Sequence, residues 1–75
     1  MEMNDFVKKV AEQYEDAENI VFKPGTEYKK LEQWSSITAL SIIAMIDEEY
    51  GKSIKGNDIQ NSNTLEELYK VCLGK

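Results

Sequence analysis

Two adjacent serines, Ser35 and Ser36, stand at the front of a long apolar run in the stretch LEQWSSITALSIIAMIDEEYG, Leu31 to Gly51. A serine hydroxyl becomes a nucleophile when a neighbouring base removes its proton, and that base is usually histidine. The chain has no histidine. Lys29 and Lys30 precede the pair in a solvated segment, and nothing in the pattern fixes either one near Ser36. Asp47, Glu48 and Glu49 are consecutive, so on a helix they point to different sides and make no metal cage. Glycoside chemistry needs a cleft that holds a sugar between two carboxylates, and a small bundle offers none. These residue types point away from an enzyme. A serine can still be the target of one. In the first turn of a helix its hydroxyl lies near unpaired backbone N–H groups and the positive end of the macrodipole, where a phosphate ester is electrostatically favoured. Ser35 would then cap the helix, and Ser36, the first helical residue, would point outward. Taken alone, the pair fits a plain cap and first-turn filler better, because serine is common at helix starts.

The elements that must position this pair belong to a short chain. Its 75 residues suit a single domain, residues 1–75, that buries roughly 60% of its unfolded surface. Cys72 is the only cysteine, which excludes an internal disulfide and a cysteine-rich zinc site and suits a core position. Fourteen acids face nine lysines with no arginine, for a net charge of −5. Such a surface repels phosphate backbones, so nucleic acid is not an expected partner. No segment reaches the ~18 apolar residues of a membrane span, and MEMNDFVKK has no signal-like apolar run. The expectation is a soluble, cytoplasmic monomer without membrane insertion.

Phe6, Val7, Val10, Tyr14 and Ala17 recur at spacings of three and four, which predicts a first helix from Asn4 to about Glu18 with Asn4 or Asp5 as its cap. Asn19 to Trp34 reads as a long ordered loop turning at Lys23-Pro24-Gly25-Thr26, tacked down by Ile20, Phe22, Tyr28 and Leu31. Ile20-Val21-Phe22 suggests a short strand, but no second strand pairs with it. The second helix runs from Ser36 to about Tyr50 and stops at Gly51. A short helical turn is expected near Asn57 to Gln60, with Ile54 and Ile59 as anchors. Thr64 and Glu67 have the spacing of a capping box for a last helix that buries Leu65, Leu68, Tyr69, Cys72 and Leu73. The fold class is all-α: three main helices, one short third helix and a long loop between the first and second.

WSSITALSIIAMIDEEYG resembles the recognition region of acyl carrier proteins, in which an Asp-Ser-Leu motif opens the second helix and an acidic end with Phe-Gly closes it. Here these landmarks read Ser35-Ser36-Ile37 and Asp47-Glu48-Glu49-Tyr50-Gly51. SIKGNDIQNSNTLEELYKV looks like the family's third-helix region and the start of its last helix. The landmarks cover about Leu31 to Val71. The resemblance implies an acyl-carrier-protein-like four-helix bundle whose Ser36 carries a 4′-phosphopantetheine arm, transferred from coenzyme A by a phosphopantetheinyl transferase. The arm's thiol would hold an acyl or related group as a thioester for partner enzymes of fatty-acid, polyketide or related biosynthesis. Two landmarks differ. Ser35 replaces an aspartate that helps engage the transferase, although it keeps a helix-capping side chain. LEQW replaces a glycine-containing loop, and Trp34 would either cover the root of the arm or anchor the loop on the core.

On the second helix, Ala39, Ile42, Ile43, Ile46 and Tyr50 share one side and are expected in the core. Ile37, Leu40, Ser41, Ala44, Asp47 and Glu48 fall on the other. Acids there would steer basic patches on acyl-loading and acyl-processing enzymes, around a small apolar centre. Scattered exposed apolar residues are normal by themselves; the resemblance is what favours docking. The alternative is a carrier-like fold that lacks the arm and serves as an acidic protein–protein interaction module.

Overall fold

Four α-helices and no strand make up the chain, in a computed structural model that describes Met1 to Lys75. α1 is Met3–Ala11, α2 is Ser36–Tyr50, α3 is Gly56–Gln60 and α4 is Leu65–Leu73, with a single 3-10 turn at Tyr28–Lys30 between α1 and α2. α1 packs on α2 and α4, and α3 packs on α4. This is the helical bundle expected, with three main helices and a short third. No helix is long and apolar enough to cross a membrane.

α1 is shorter than the periodicity predicts. It ends at Ala11 rather than near Glu18. The amides of Gln13 and Tyr14 bond to Val10 and Ala11, three residues back, which tightens the last turn. Asp16 then takes a φ of +55°, a left-handed conformation that a helix cannot continue through. The pull comes from Tyr14. Its hydroxyl donates to the Tyr28 carbonyl at 2.7 Å, and its ring stays buried beside Phe22 and Trp34. The cap also differs: Glu2 holds the N-cap position without a side-chain bond, and Met3 packs against the core, so the helix starts ahead of Asn4.

α2 has the expected ends. Gly51 closes it at φ +65°, and its N–H bonds to the Asp47 carbonyl at 2.9 Å; glycine carries no Cβ penalty there. The buried face of α2 is rotated from the expected stripe. Ile42 and Ile46 are fully buried, but Ala39, Ile43 and Tyr50 are only partly covered, whereas Thr38 and Met45 are buried. α1 packs on this helix, and the Thr38 hydroxyl bonds to the Gln33 carbonyl in the residues before Ser35, which period alone does not reveal.

α3 starts with the Asp58 carboxylate accepting the Lys55 N–H at 2.9 Å; lysine has no lone pair to return a second bond. Thr64 caps α4 by accepting the Glu67 N–H at 3.2 Å, while Glu67 reaches back to the Asn63 N–H at 2.6 Å. That is one residue beyond the Thr64 amide of the expected box. Leu65, Leu68 and Cys72 are buried, but Leu73 is 53% exposed.

The α1–α2 connection is built in rather than draped over the bundle. Tyr28 is fully buried. Its hydroxyl lies 2.6 Å from Ser62 Oγ and 3.3 Å from the Ile59 carbonyl. The Thr26 and Pro24 carbonyls accept the Leu65 and Glu66 N–H groups at 3.1 and 2.8 Å, so the loop satisfies donors that the α4 N-terminus leaves open. Burying side chains such as Tyr28, Phe6 and Leu68 stabilises the fold by about 1.5–3 kcal/mol each.

Candidate functional site: the start of α2

Ser35 and Ser36 do different work. Ser35 is the N-cap, with extended dihedrals of φ −154° and ψ 171°. Its Oγ accepts the Thr38 N–H at 3.2 Å and lies 3.1 Å from the Thr38 hydroxyl, which donates to the Gln33 carbonyl at 3.4 Å. One proton per hydroxyl runs this chain in a single direction, from Ser35 to Thr38 to Gln33. Ser36, one residue on, is exposed and its hydroxyl takes part in none of the side-chain hydrogen bonds. The Ser36 and Ile37 N–H groups have no acceptor within the chain, as expected for a first turn. The first turn of α2 carries no acidic residue. A shallow groove of about 150 Å³ beside Ser35 and Ile37 is otherwise lined mostly by polar groups, Gln13, Glu15, Gln33, Thr38 and Ser41.

The two lysines that precede the pair are engaged elsewhere. Lys29 Nζ donates to the Gln60 carbonyl at 3.0 Å, and Lys30 pairs with Glu27 at 2.7 Å. The Cys72 thiol is fully buried, and desolvation pushes its pKa up to about 11, so it is a core group with little thiolate character.

The six residues expected on the outer side of α2 do lie there together. Ile37 is 74% exposed and Leu40 66%; Ala44, Asp47 and Glu48 are exposed and Ser41 is partly covered. Ser41, Ala44 and Glu48 also face α1 across a groove of about 340 Å³ shared with Lys9, Glu12 and Gln13. Asp47 and Glu48 form no ion pair within the chain. Trp34 is half-buried, edge-on to Tyr28 at 5.6 Å and 6.3 Å from Tyr14. Of the two roles weighed for Trp34, anchoring the loop is the one these contacts show.

The far end of α2 holds a polar cluster that sequence reasoning missed. The Tyr50 hydroxyl donates to Asp5 at 2.6 Å. Lys9 pairs with Glu49 at 2.8 Å and Asp5 at 3.4 Å, and lies 5.1 Å from the centre of the Tyr50 ring. The hydrogen bond from Tyr50 holds the Asp5 carboxyl below its ordinary range. Burial, then the bond to Asp5, pushes Tyr50 up to about 12, and the bond to Glu49 raises Lys9 to about 12. The i,i+4 spacing of Asp5 and Lys9 was the visible signal; the partner on α2 was not.

Both ends of α2 are thus tied down, and Ser36 is an exposed residue at its start. Comparison with protein-family models, with curated proteins and with solved structures gives no match.

Proposed function

We propose that the chain is an acyl-carrier-like protein whose Ser36 receives a 4′-phosphopantetheine arm from coenzyme A. The observation that carries this reading is the division of labour at the helix start: Ser35 caps α2, which leaves the adjacent Ser36 hydroxyl exposed and unbonded beside unpaired N–H groups. In the transfer the Ser36 oxygen bonds to the phosphorus bearing the pantetheine. The pyrophosphate P–O bond breaks and adenosine 3′,5′-bisphosphate leaves. The serine proton passes to a base supplied by the transferase. The phosphodiester product sits at the positive end of α2. Once attached, the arm supplies a thiol that holds acyl groups as thioesters. The chain's own part is presentation: Ile37 and Leu40 give apolar contact area, and Asp47 and Glu48 attract basic patches on the transferase and on acyl-loading and acyl-processing enzymes.

Intact mass before and after incubation with coenzyme A and a broad-specificity phosphopantetheinyl transferase tests this directly. One phosphopantetheine adduct, mapped by peptide sequencing to Ser36, is the expected result. An adduct at Ser35 would place the modification one residue away. A folded chain that stays unmodified with several transferases would overturn the carrier assignment. That outcome would leave a second reading, an acidic interaction module without the arm, which the exposed Ile37 and Leu40 beside free acids support independently of Ser36.

A further inference from the structure

The α1–α2 connection contains an apolar run, Ile20-Val21-Phe22, that neither the core nor the Ser36 end uses in full. Burial along it alternates with the period of a strand: Ile20 and Phe22 are half-buried, Val21 is 72% exposed and Lys23 is exposed. Phe22 is held from beneath by the Tyr14 ring, 5.1 Å away between centroids. Both ends of the run are pinned. The Ile20 N–H bonds to the Ala17 carbonyl at 3.1 Å, and the Lys23 N–H to Thr26 Oγ1 at 2.8 Å. Between them, the N–H groups of Val21 and Phe22 and the carbonyls of Ile20, Val21 and Phe22 have no partner within the chain. β-favouring side chains with free backbone groups between fixed ends have the properties of a sheet edge without its sheet.

Charge narrows what such an edge accepts. A groove of about 460 Å³ separates this run from α1; Val7, Ala11, Ile20 and Phe22 line it, together with Lys8 and Lys23. Neither lysine has an ion-pair partner. On a chain with a net charge of −5 they are the charged side chains in the lining of this groove, over an apolar floor, with Glu12 and Glu18 near Lys8 on its outer side.

We propose that Ile20 to Lys23 takes up an extended, acidic segment of a partner protein as an added strand. Main-chain hydrogen bonds to the free groups on one edge of the run, those of Val21 or those of Ile20 and Phe22, give affinity, and alternate residues of the segment divide the remaining work. Its apolar side chains enter the groove over Val7 and Phe22, and its carboxylates meet Lys8 and Lys23. A second copy of this chain is a poorer occupant, since it brings its own Lys23 and its own net negative charge to the contact.

The test follows amide hydrogen exchange in the full chain with an alternating glutamate–valine hexapeptide as the probe. Exchange at one of the two amides, Val21 or Phe22, should slow by about tenfold or more as peptide is added, because successive N–H groups of an extended run face opposite edges and one added strand bonds only one edge. The double substitution Lys8→Glu, Lys23→Glu should abolish that slowing while the far-UV circular dichroism stays native. Unchanged exchange at both amides in millimolar peptide would overturn the proposal. An equal response to a lysine–valine hexapeptide would overturn its charge assignment. Slowing that grows with protein concentration in the absence of peptide would overturn the partner assignment and place a second copy at the edge. Phosphopantetheine loading at Ser36 is not part of the readout, so the outcome stands apart from the carrier proposal.

Discussion

Two pairs of hydroxyls stabilise this bundle, one at its rim and one at its centre. At the rim, Ser35 and Thr38 lie 3.1 Å apart and tie the start of α2 to the preceding loop. At the centre, Tyr28 and Ser62 lie 2.6 Å apart with no solvent exposure and tie that same loop to α3. Ser62 also donates toward the Asp58 carbonyl at 3.0 Å, and no buried side-chain polar atom in the chain lacks a partner. The central pair is closed: both hydroxyls find their partners inside the protein. The rim pair occupies its own hydroxyls but leaves the next residue free. One position in the sequence thus separates a structural serine from an available one.

Truncating the centre should have the largest effect. Tyr28→Ala removes a fully buried ring and should cost about 3–5 kcal/mol in urea unfolding, a large share of the stability of so small a domain. Ser36→Ala, by contrast, should leave stability within ~0.5 kcal/mol while abolishing phosphopantetheine loading. Equal stability losses for the two variants would erase the distinction between centre and rim.

A finer cut removes only hydroxyls. Tyr28→Phe should cost about 1–3 kcal/mol, because it strips a buried pair of one member. Ser35→Ala should cost about 1 kcal/mol as a lost N-cap. Ser35→Asp should keep the cap, and by restoring a carboxylate before Ser36 it should raise the loading rate measured by mass spectrometry. A loading rate that falls instead would show that the transferase reads the serine itself.

The smallest effect belongs to the far end of α2. The folded state holds the Asp5 carboxyl below its ordinary value. Its contribution is therefore present above the ordinary carboxylate range and is lost as pH falls through the lowered pKa. The folded state raises Tyr50 and Lys9, each to about 12, so their contribution is complete below their ordinary values of about 10 and fades as pH climbs through the raised ones. Asp5→Asn should flatten the acid limb of a stability–pH curve and weaken the alkaline one. Curves that superimpose would show the cluster to be electrostatically idle.

The ends of α2 were legible because local chemistry sets them: serine as a cap, glycine where φ must be positive. The helix count and the short third helix were legible for similar reasons, through Thr64 and the anchors Ile54 and Ile59. Two things were hidden. The end of α1 depends on where the Tyr14 hydroxyl finds an acceptor, and that acceptor is a carbonyl on Tyr28. The buried face of α2 depends on what leans against it, so Thr38 and Met45 look like any other helical residues in the pattern. Placing Ser36 at the first helical position was within reach of the sequence; seeing that Ser62 is sealed against Tyr28 was not, because nothing local marks a serine in a turn as buried.

The carbonyls of Thr26 and Pro24 meet the first amides of α4 across more than half the chain. Their consequence is kinetic. A short helix forms in well under a microsecond, whereas these bonds form only as the ring between the loop and α4 closes, at an entropic cost. A fragment that stops short of α4 lacks both bonds, and its loop carbonyls of Thr26 and Pro24 are left to water.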